Sequence, residues 1–227
     1  MYDFFIFFFF KQEAAYEVLR SDWRSGKGKF TVITGSSGSG KTTLFNMIGG
    51  LDYPDSGSVV VDNIELKDMK EKQLAVFRRS KIGFIYQNYN LIPSLTIKEN
   101  ILFSVNLGKQ AVDKEFFREI TGFLKLENRL DAYPGQLSGG GQQRVSIARA
   151  LMLKSGIVLA DEPTGNLDSC TSQEVLGLLK SAAQTYRQTL VMITHNLDIA
   201  QMADRVVRME DGQILERTGR MQWKTTI

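Results

Sequence analysis

The chain has 227 residues, 43% of them hydrophobic, which is enough to bury the core of one full domain. Its 28 lysine and arginine residues nearly balance 25 acidic residues, and the formal net charge of +3 argues against a nucleic-acid partner. The single cysteine, Cys170, excludes an internal disulfide and indicates a reducing compartment.

The N-terminal segment, residues 1–10, is rich in phenylalanine but too short to span a bilayer. Asp3 stands where a signal peptide carries positive charge, and no small-residue cleavage site follows. The segment therefore predicts a buried strand. Because the chain holds no apolar run of about 18 residues, we expect a cytoplasmic protein.

Short apolar runs alternate with helical patterns, which predicts a mostly parallel sheet covered by helices. Residues 30–34 read as a buried strand, and a helix begins at Lys41 and ends at Gly49. Further strands are predicted at residues 58–61 and 64–66 as an antiparallel pair, then at 82–86, 157–160, 189–194, 205–209 and 213–215, the last two flanking the hairpin signal Asp211-Gly212.

From about residue 87 to 151 the pattern becomes mainly helical. Thr96 and Glu99 have the spacing of a capping box, and residues 112–126 have helical periodicity. The chain thus divides into a nucleotide-binding core, residues 1–86 and 152–227, and an inserted helical subdomain, residues 87–151.

A glycine-rich loop follows the first predicted strand of the core. It fits G-x-x-x-x-G-K-[ST] between a strand and a helix, the context that a phosphate-binding loop requires. Its backbone N–H groups and the helix start attract phosphate oxygens, while Lys41 can reach the β- and γ-phosphates and the Thr42 hydroxyl can bind Mg²⁺. The candidate ATP-binding residues are Gly35, Ser36, Ser37, Gly38, Ser39, Gly40, Lys41, Thr42 and Thr43.

Two acidic residues, Asp161 and Glu162, follow the apolar run 157–160. Ligands gather at the carboxyl ends of parallel strands, so both carboxylates should face the phosphate loop. Asp161 suits Mg²⁺, and Glu162 suits a base that polarises the attacking water. His195, the only histidine, closes another strand, where it can bind the γ-phosphate or hold that water.

Three more segments complete an ordered set of motifs. Residues 137–144, Leu-Ser-Gly-Gly-Gly-Gln-Gln-Arg, resemble the ABC signature sequence, Gln87 looks like the family's Q-loop glutamine, and residues 165–168, Gly-Asn-Leu-Asp, look like its D-loop. With the phosphate loop, the acidic pair and the histidine, the set resembles an ABC transporter ATPase over residues 18–216. The resemblance implies the ABC ATPase fold: an α/β P-loop NTPase core with a mostly parallel sheet, a small antiparallel subdomain and a helical insertion.

The resemblance also implies a mechanism. Two protomers would pair head to tail, as a homodimer or as a heterodimer with a second ATPase subunit, and ATP would lie between the phosphate loop of one and the signature of the other. The signature residues that would touch the partner's ATP are Ser138, Gly139, Gly140 and Gly141. Gln87 would act in catalysis beside Glu162 and His195, and Asp168 belongs to the D-loop. Thr42, Gln87 and Asp161 would hold Mg²⁺.

The dimer would drive a separate membrane permease from the cytoplasmic face of the inner or plasma membrane. Residues 78–88, 91–96 and 160–168 resemble the lipoprotein-release and macrolide or antimicrobial-peptide export group, which implies export or extraction of such cargo. The loop of residues 88–95 carries the apolar side chains Tyr89, Leu91, Ile92 and Pro93, and serves either as core or, on our interpretation, as a partner groove.

Two positions depart from the family pattern. Gly141 stands where the signature usually has glutamine or an acidic residue, which would weaken the ATP sandwich. The aromatic residue that stacks on adenine has three candidates, Phe9, Phe10 and Tyr16.

Three other classes compete with a transporter ATPase. A chromosome-maintenance or DNA-repair ABC ATPase would need a coiled-coil or zinc-bearing insertion between Lys41 and Ser138, and that segment is too short for one. A small-molecule P-loop kinase would lack the signature. A weakly active regulatory cassette stays open, with Gly141 as its only indication.

Overall fold

The computed structural model describes residues 28–55, 58–62 and 64–219. The predicted N-terminal strand and the adenine candidates Phe9, Phe10 and Tyr16 lie outside these residues. Within them, no helix is long and apolar enough to cross a membrane.

A six-stranded sheet forms the centre of the molecule, in the order β4-β5-β6-β1-β7-β8. The first five strands of this order are mutually parallel, and β8 runs antiparallel to β7. A separate antiparallel pair joins β2 and β3. The strands are β1 Phe30–Gly35, β2 Val60–Val61, β3 Ile64–Glu65, β4 Ile82–Tyr86, β5 Ile157–Asp161, β6 Thr189–Ile193, β7 Arg205–Glu210 and β8 Gln213–Gly219.

Successive apolar side chains along each strand point to opposite faces of the sheet, so both faces are hydrophobic and helices cover both. In β5, Val158 and Ala160 enter one hydrophobic cluster, and Ile157 and Leu159 enter another on the opposite face. The helices are α1 Lys41–Ile48, α2 Glu71–Lys81, α3 Ile97–Leu107, α4 Lys114–Phe123, α5 Gly139–Met152, α6 Ser169–Thr185 and α7 Leu197–Gln201, with 3₁₀ turns at Glu127–Arg129 and Pro134–Gln136. α1 and α2 pack on one face, and α3 to α7 pack on the other.

The predicted fold class is confirmed, including the small antiparallel pair and the hairpin. Asp211 and Gly212 form a two-residue turn between β7 and β8, both with positive φ, 46° and 75°. Thr96 caps α3 as predicted, since its hydroxyl accepts from the Glu99 N–H at 3.2 Å and its own N–H donates to the Glu99 carboxylate at 2.8 Å.

Helix α2 was not predicted from the sequence. Only Leu74 and Phe77 of its residues are buried, so its apolar stripe is too narrow to stand out among charged neighbours. The division into core and helical subdomain stays a prediction. One hydrophobic cluster continues from the sheet, at Ile85 and Val158, into α3 at Ile97 and Ile101.

Candidate functional site

The phosphate loop joins β1 to α1 and has a conformation that only glycine permits at its two ends. A Cβ atom added at Gly35 would clash with the Met209 carbonyl oxygen of the neighbouring strand. Gly40 has φ 92°, and it leads directly into the first turn of α1. The loop therefore leads directly into the N-terminus of α1, and the N–H groups of a helix start stabilise an anion.

Lys41 lies across this loop. Its ammonium donates to the Gly35 carbonyl at 3.0 Å, to the Ser36 carbonyl at 2.6 Å and to the Ser39 hydroxyl at 3.3 Å. Ser39 is buried, and its carbonyl accepts from the Gly212 N–H at 3.1 Å, which links the loop to the β7–β8 turn. The lysine charge is thus held at the mouth of the loop.

Four neighbouring parallel strands end at one side of the sheet, which we call the carboxyl edge: β4 at Tyr86, β5 at Asp161, β6 at Ile193 and β1 at Gly35. Tyr86 pairs with Asp161, and Asp161 with Ile193, so the residues that follow these strands are neighbours. The predicted convergence of the phosphate loop, the acidic pair and the histidine is therefore present in the fold.

The Glu162 carboxylate is held by the end of β6. One of its oxygens accepts from the Thr194 hydroxyl at 3.1 Å, and the other accepts from the His195 N–H at 2.9 Å and lies 2.7 Å from His195 Nδ1. The Glu162 side chain is 19% exposed and that of His195 is 76% exposed. Glu162 itself has φ 44°, and its N–H donates to the Ile193 carbonyl, so the backbone turns sharply there.

Asp161 lies half-buried beside this pair. Burial raises its pKa, the nearby Glu162 carboxylate raises it further, and the Lys41 ammonium lowers it. A cation at this point would favour the charged carboxylate. Among the described residues no group of three or more His, Cys, Asp or Glu side chains forms a metal site, so Mg²⁺ would depend on single oxygens such as those of Asp161 and Thr42. Such hard oxygen donors fit Mg²⁺.

Gln87 and the D-loop contact each other directly. The Gln87 side-chain amide donates to the Asn166 side-chain oxygen at 3.1 Å. In return, the Asn166 amide donates to the Gln87 carbonyl at 3.1 Å and to the Asn88 side chain at 3.0 Å. Asp168, at the other end of the D-loop, caps α6 by accepting from the Thr171 hydroxyl at 2.6 Å and the Thr171 N–H at 3.0 Å. These two bonds, the hydroxyl first, lower the pKa of Asp168.

The signature motif forms the start of α5. Ser138 is the N-cap, and its hydroxyl accepts from the Gly141 N–H at 3.3 Å. A Cβ atom added at Gly139 would lie 2.9 Å from the Tyr89 hydroxyl, and one added at Gly140 would lie 2.5 Å from the Thr171 methyl group. The described contacts of this motif thus run to the Q-loop and the D-loop, and not to the phosphate loop of the same chain.

Sequence reasoning missed Arg149, which joins α5 to the Q-loop. Its guanidinium donates to the carbonyls of Tyr89 at 2.8 Å and Asn90 at 2.6 Å. Burial lowers the pKa of this guanidinium, and the nearby Tyr86 phenol raises it by a smaller amount. A signal was available, because Arg149 is the only charged residue in the run 145–152.

A groove of about 510 Å³ opens between α2, α3 and the end of β4. Its lining is mainly aromatic and aliphatic and includes three arginines: Leu51, Ala75, Arg78, Arg79, Ile82, Phe84, Tyr86, Asn90, Phe103, Ser104, Leu107, Arg149, Ala150 and Leu153. The sequence analysis interpreted the loop of residues 88–95 as a partner groove. Of that loop, Asn90 lines the groove described here. Leu91 packs against the larger hydrophobic cluster instead, and Tyr89 lies beside Gly139.

The structure therefore brings the predicted residues together in two groups. The first lies at the carboxyl edge and contains the phosphate loop, Gly35 to Thr43, with Gln87, Asp161, Glu162 and His195. The second contains the signature, Ser138 to Gly141, together with Asp168.

Comparison with known proteins shows the same family by sequence and by structure. The family model described as ABC transporter matches residues 20–165. The lipoprotein-releasing system ATP-binding protein LolD of Cytophaga hutchinsonii is 42% identical over 91% of this chain and 95% of its own length. The bacitracin export ATP-binding protein BceA of Halalkalibacterium halodurans is 43% identical over 87% of this chain and 79% of its own length.

The macrolide export ATP-binding/permease protein MacB of Rhodopirellula baltica is 44% identical over 83% of the chain, and the match spans only 28% of that longer protein. Among solved structures, the dimeric structure of MJ0796, a bacterial ABC transporter cassette, is 39% identical, with a TM-score of 0.76 over 87% of this chain and 88% of that one. A second structure of MJ0796, in a post-hydrolysis state bound to ADP and Pi, has a TM-score of 0.75 at the same identity and the same coverage. The chain therefore belongs to the ABC transporter family as an ATP-binding subunit with the ABC ATPase fold.

Proposed function

We propose that this chain hydrolyses ATP as a head-to-tail homodimer and so drives a separate membrane permease. The observation that carries the proposal is the separation of two complete half-sites in one chain. Lys41, Asp161 and Glu162 meet at the carboxyl edge, whereas the contacts of Gly139 and Gly140 in the signature run to other segments. A second copy of the chain can supply its signature to the first copy's phosphate loop.

The chemistry of the carboxyl edge supports hydrolysis. Glu162 is held by Thr194 and by the His195 backbone, so its carboxylate has a fixed direction. A carboxylate held in this way can orient water and accept its proton, while Lys41 and the loop N–H groups stabilise charge on the γ-phosphate. The His195 ring contacts Glu162 through Nδ1 at 2.7 Å, and because its side chain is 76% exposed, its other ring nitrogen can reach a phosphate oxygen from the side of β6.

Mg²⁺ would bind through the Thr42 hydroxyl and the Asp161 carboxylate, with Gln87 as a further oxygen donor, and would neutralise phosphate charge. The raised pKa of Asp161 supports this assignment. A divalent cation replaces the proton that burial and Glu162 favour.

The groove beside α3 fits an apolar segment of a permease. Phe84, Phe103 and Leu107 offer apolar contact area, and Arg78 and Arg79 offer charges for an acidic or carbonyl-rich helix end. Relatives are named as ATP-binding parts of lipoprotein-releasing, bacitracin export and macrolide export systems. We therefore place the chain at the cytoplasmic face of a membrane, where it powers export or extraction of lipoprotein, peptide or macrolide-type cargo.

Size-exclusion chromatography with light scattering tests the dimer. The Glu162→Gln variant binds ATP but cannot activate water, so we expect a dimer with Mg·ATP and a monomer with Mg·ADP. Glu115→Gln, at an exposed carboxylate in the first turn of α4, serves as control and should behave as the wild type. A Glu162→Gln protein that binds ATP and stays monomeric at saturating nucleotide would refute the proposal.

A further inference from the structure

The Q-loop has an unusual backbone conformation directly after Gln87. Tyr89 and Asn90 have φ values of 60° and 47°, which is the left-handed region that residues other than glycine seldom adopt. Such a conformation persists only where the surroundings hold it. The contacts that hold it here include the two hydrogen bonds from Arg149.

Arg149 reaches these carbonyls because α5 packs directly against strand β4. A Cβ atom added at Gly83 of β4 would lie 2.7 Å from the Ala150 carbonyl oxygen and 3.1 Å from the Ala150 Cβ. The helix backbone therefore approaches the strand as closely as glycine allows. This contact brings the residue before Ala150 to the carboxyl end of the same strand, where the Q-loop begins.

The two ends of α5 both touch the Q-loop. Near its start, Gly139 lies against the Tyr89 ring, and three turns later Arg149 binds the Tyr89 carbonyl. A planar guanidinium with two parallel N–H groups suits two consecutive carbonyls, and a lysine ammonium does not reproduce that geometry. Helix α5, which begins with the signature, therefore contacts the loop after Gln87 at two points.

We propose that Arg149 is a positioning residue for ATP hydrolysis, which fixes the Q-loop on the signature helix so that Gln87 faces the carboxyl edge. The inference rests on the proposed function. Arg149 touches no reacting atom itself, and it acts through the backbone that carries Gln87. Because Arg149 and Asn90 also line the groove, a partner seated there contacts this same junction.

The test separates ATP binding from turnover. We expect Arg149→Met to lower kcat by about 10- to 100-fold, since a small misplacement of a catalytic group has effects of this size. The Kd for ATP, measured with Glu162→Gln present so that nucleotide stays intact, should change by less than about twofold, because the phosphate loop is untouched. Arg149→Lys should fall between the wild type and Arg149→Met in kcat.

Lys154→Gln is the matched control, because Lys154 follows α5 and makes a surface ion pair with Asp113 at 2.7 Å that does not involve the Q-loop. If Arg149 has only a structural role, both arginine variants should have a lower midpoint of thermal unfolding and an unchanged kcat per folded molecule. That result would overturn the inference.

A double-mutant cycle with Gln87→Ala gives a second, independent readout. If Arg149 acts through Gln87, then adding Arg149→Met to Gln87→Ala should lower kcat by less than about a further twofold. Full additivity of the two effects would overturn the inference. A wild-type protein without any ATPase activity would refute the proposed function, and the inference with it, whereas an active wild type with an equally active Arg149→Met variant would refute the inference alone.

Discussion

Gly141, the departure in the signature, gives a test of how α5 begins. It is the third residue of the helix, and replacing glycine by alanine inside a helix stabilises it by up to about 1 kcal/mol. The Gly141 N–H, which donates to Ser138, is kept in alanine. The helix cap should therefore survive the substitution.

The new methyl group would meet one neighbour. A Cβ atom at residue 141 would lie 3.2 Å from the Cβ and the Cδ2 of Leu137, and 3.4 Å from its Cγ. The backbone fixes the position of the Leu137 Cβ, so the main chain of this half-buried residue must shift by a few tenths of an ångström, at a cost of about 0.5 kcal/mol. We therefore expect Gly141→Ala to stabilise the protein by about 0.5 kcal/mol.

Gly140→Ala, one residue earlier, is the matched control. Its Cβ would lie 2.5 Å from the Thr171 methyl group in a buried contact between α5 and α6. Overpacking of this kind costs about 1–3 kcal/mol and outweighs the gain in helix propensity. Urea denaturation should separate the two variants by at least about 1 kcal/mol in the free energy of unfolding. A Gly140→Ala protein as stable as Gly141→Ala would refute this account of the helix start.

The same residue has a functional readout. In the Glu162→Gln background, Gly141→Gln supplies the side chain that the family pattern usually has near the partner's nucleotide. One added hydrogen bond is worth about 0.5–1.5 kcal/mol, and the head-to-tail dimer gains one at each of its two nucleotide sites, which corresponds to a dimer Kd lower by about 5- to 160-fold. Sedimentation at several concentrations with Mg·ATP measures it. An unchanged Kd would show that glycine at position 141 does not weaken the ATP-dependent dimer.

Two further predictions concern ATP binding and the docking of the permease. Lys41→Ala removes the charge that lies across the phosphate loop, so calorimetry should detect no ATP binding, and retained affinity would count against the loop assignment. Leu107→Asp places a charge on a 55% exposed residue of the groove and should abolish copurification with the permease while the unfolding midpoint stays unchanged. Leu215→Asp, at a 54% exposed residue of β8 on the opposite edge of the sheet, should keep the permease bound. Equal loss in both variants would rule out the groove as the docking site.

Local signals in the sequence predicted most of the fold. The strands are short apolar runs with both faces buried, and Ile82–Tyr86 has the predicted bounds. The phosphate loop was recognisable because glycine, lysine and a hydroxyl occur at fixed spacing. The rule that parallel strands present their carboxyl ends together predicted that Asp161, Glu162 and His195 lie at one edge of the sheet.

The contacts between distant segments could not be predicted in the same way. Arg149 and Tyr89 are 60 residues apart, and Gln87 and Asn166 are 79 apart. These pairs depend on how closely α5 approaches β4 and on the turn at the end of β5. No periodicity or motif in the chain indicates which of these distant residues come into contact.

The close approach of α5 to β4 at Gly83 has one more consequence. Any side chain at this position would act as a wedge between the helix and the strand, since the Ala150 carbonyl already occupies the space. The wedge would lift Arg149 away from the loop that it holds, although residue 83 is itself buried between the helix and the strand. A substitution buried inside the fold should therefore misplace the Q-loop, because it sets the two backbones a little too far apart.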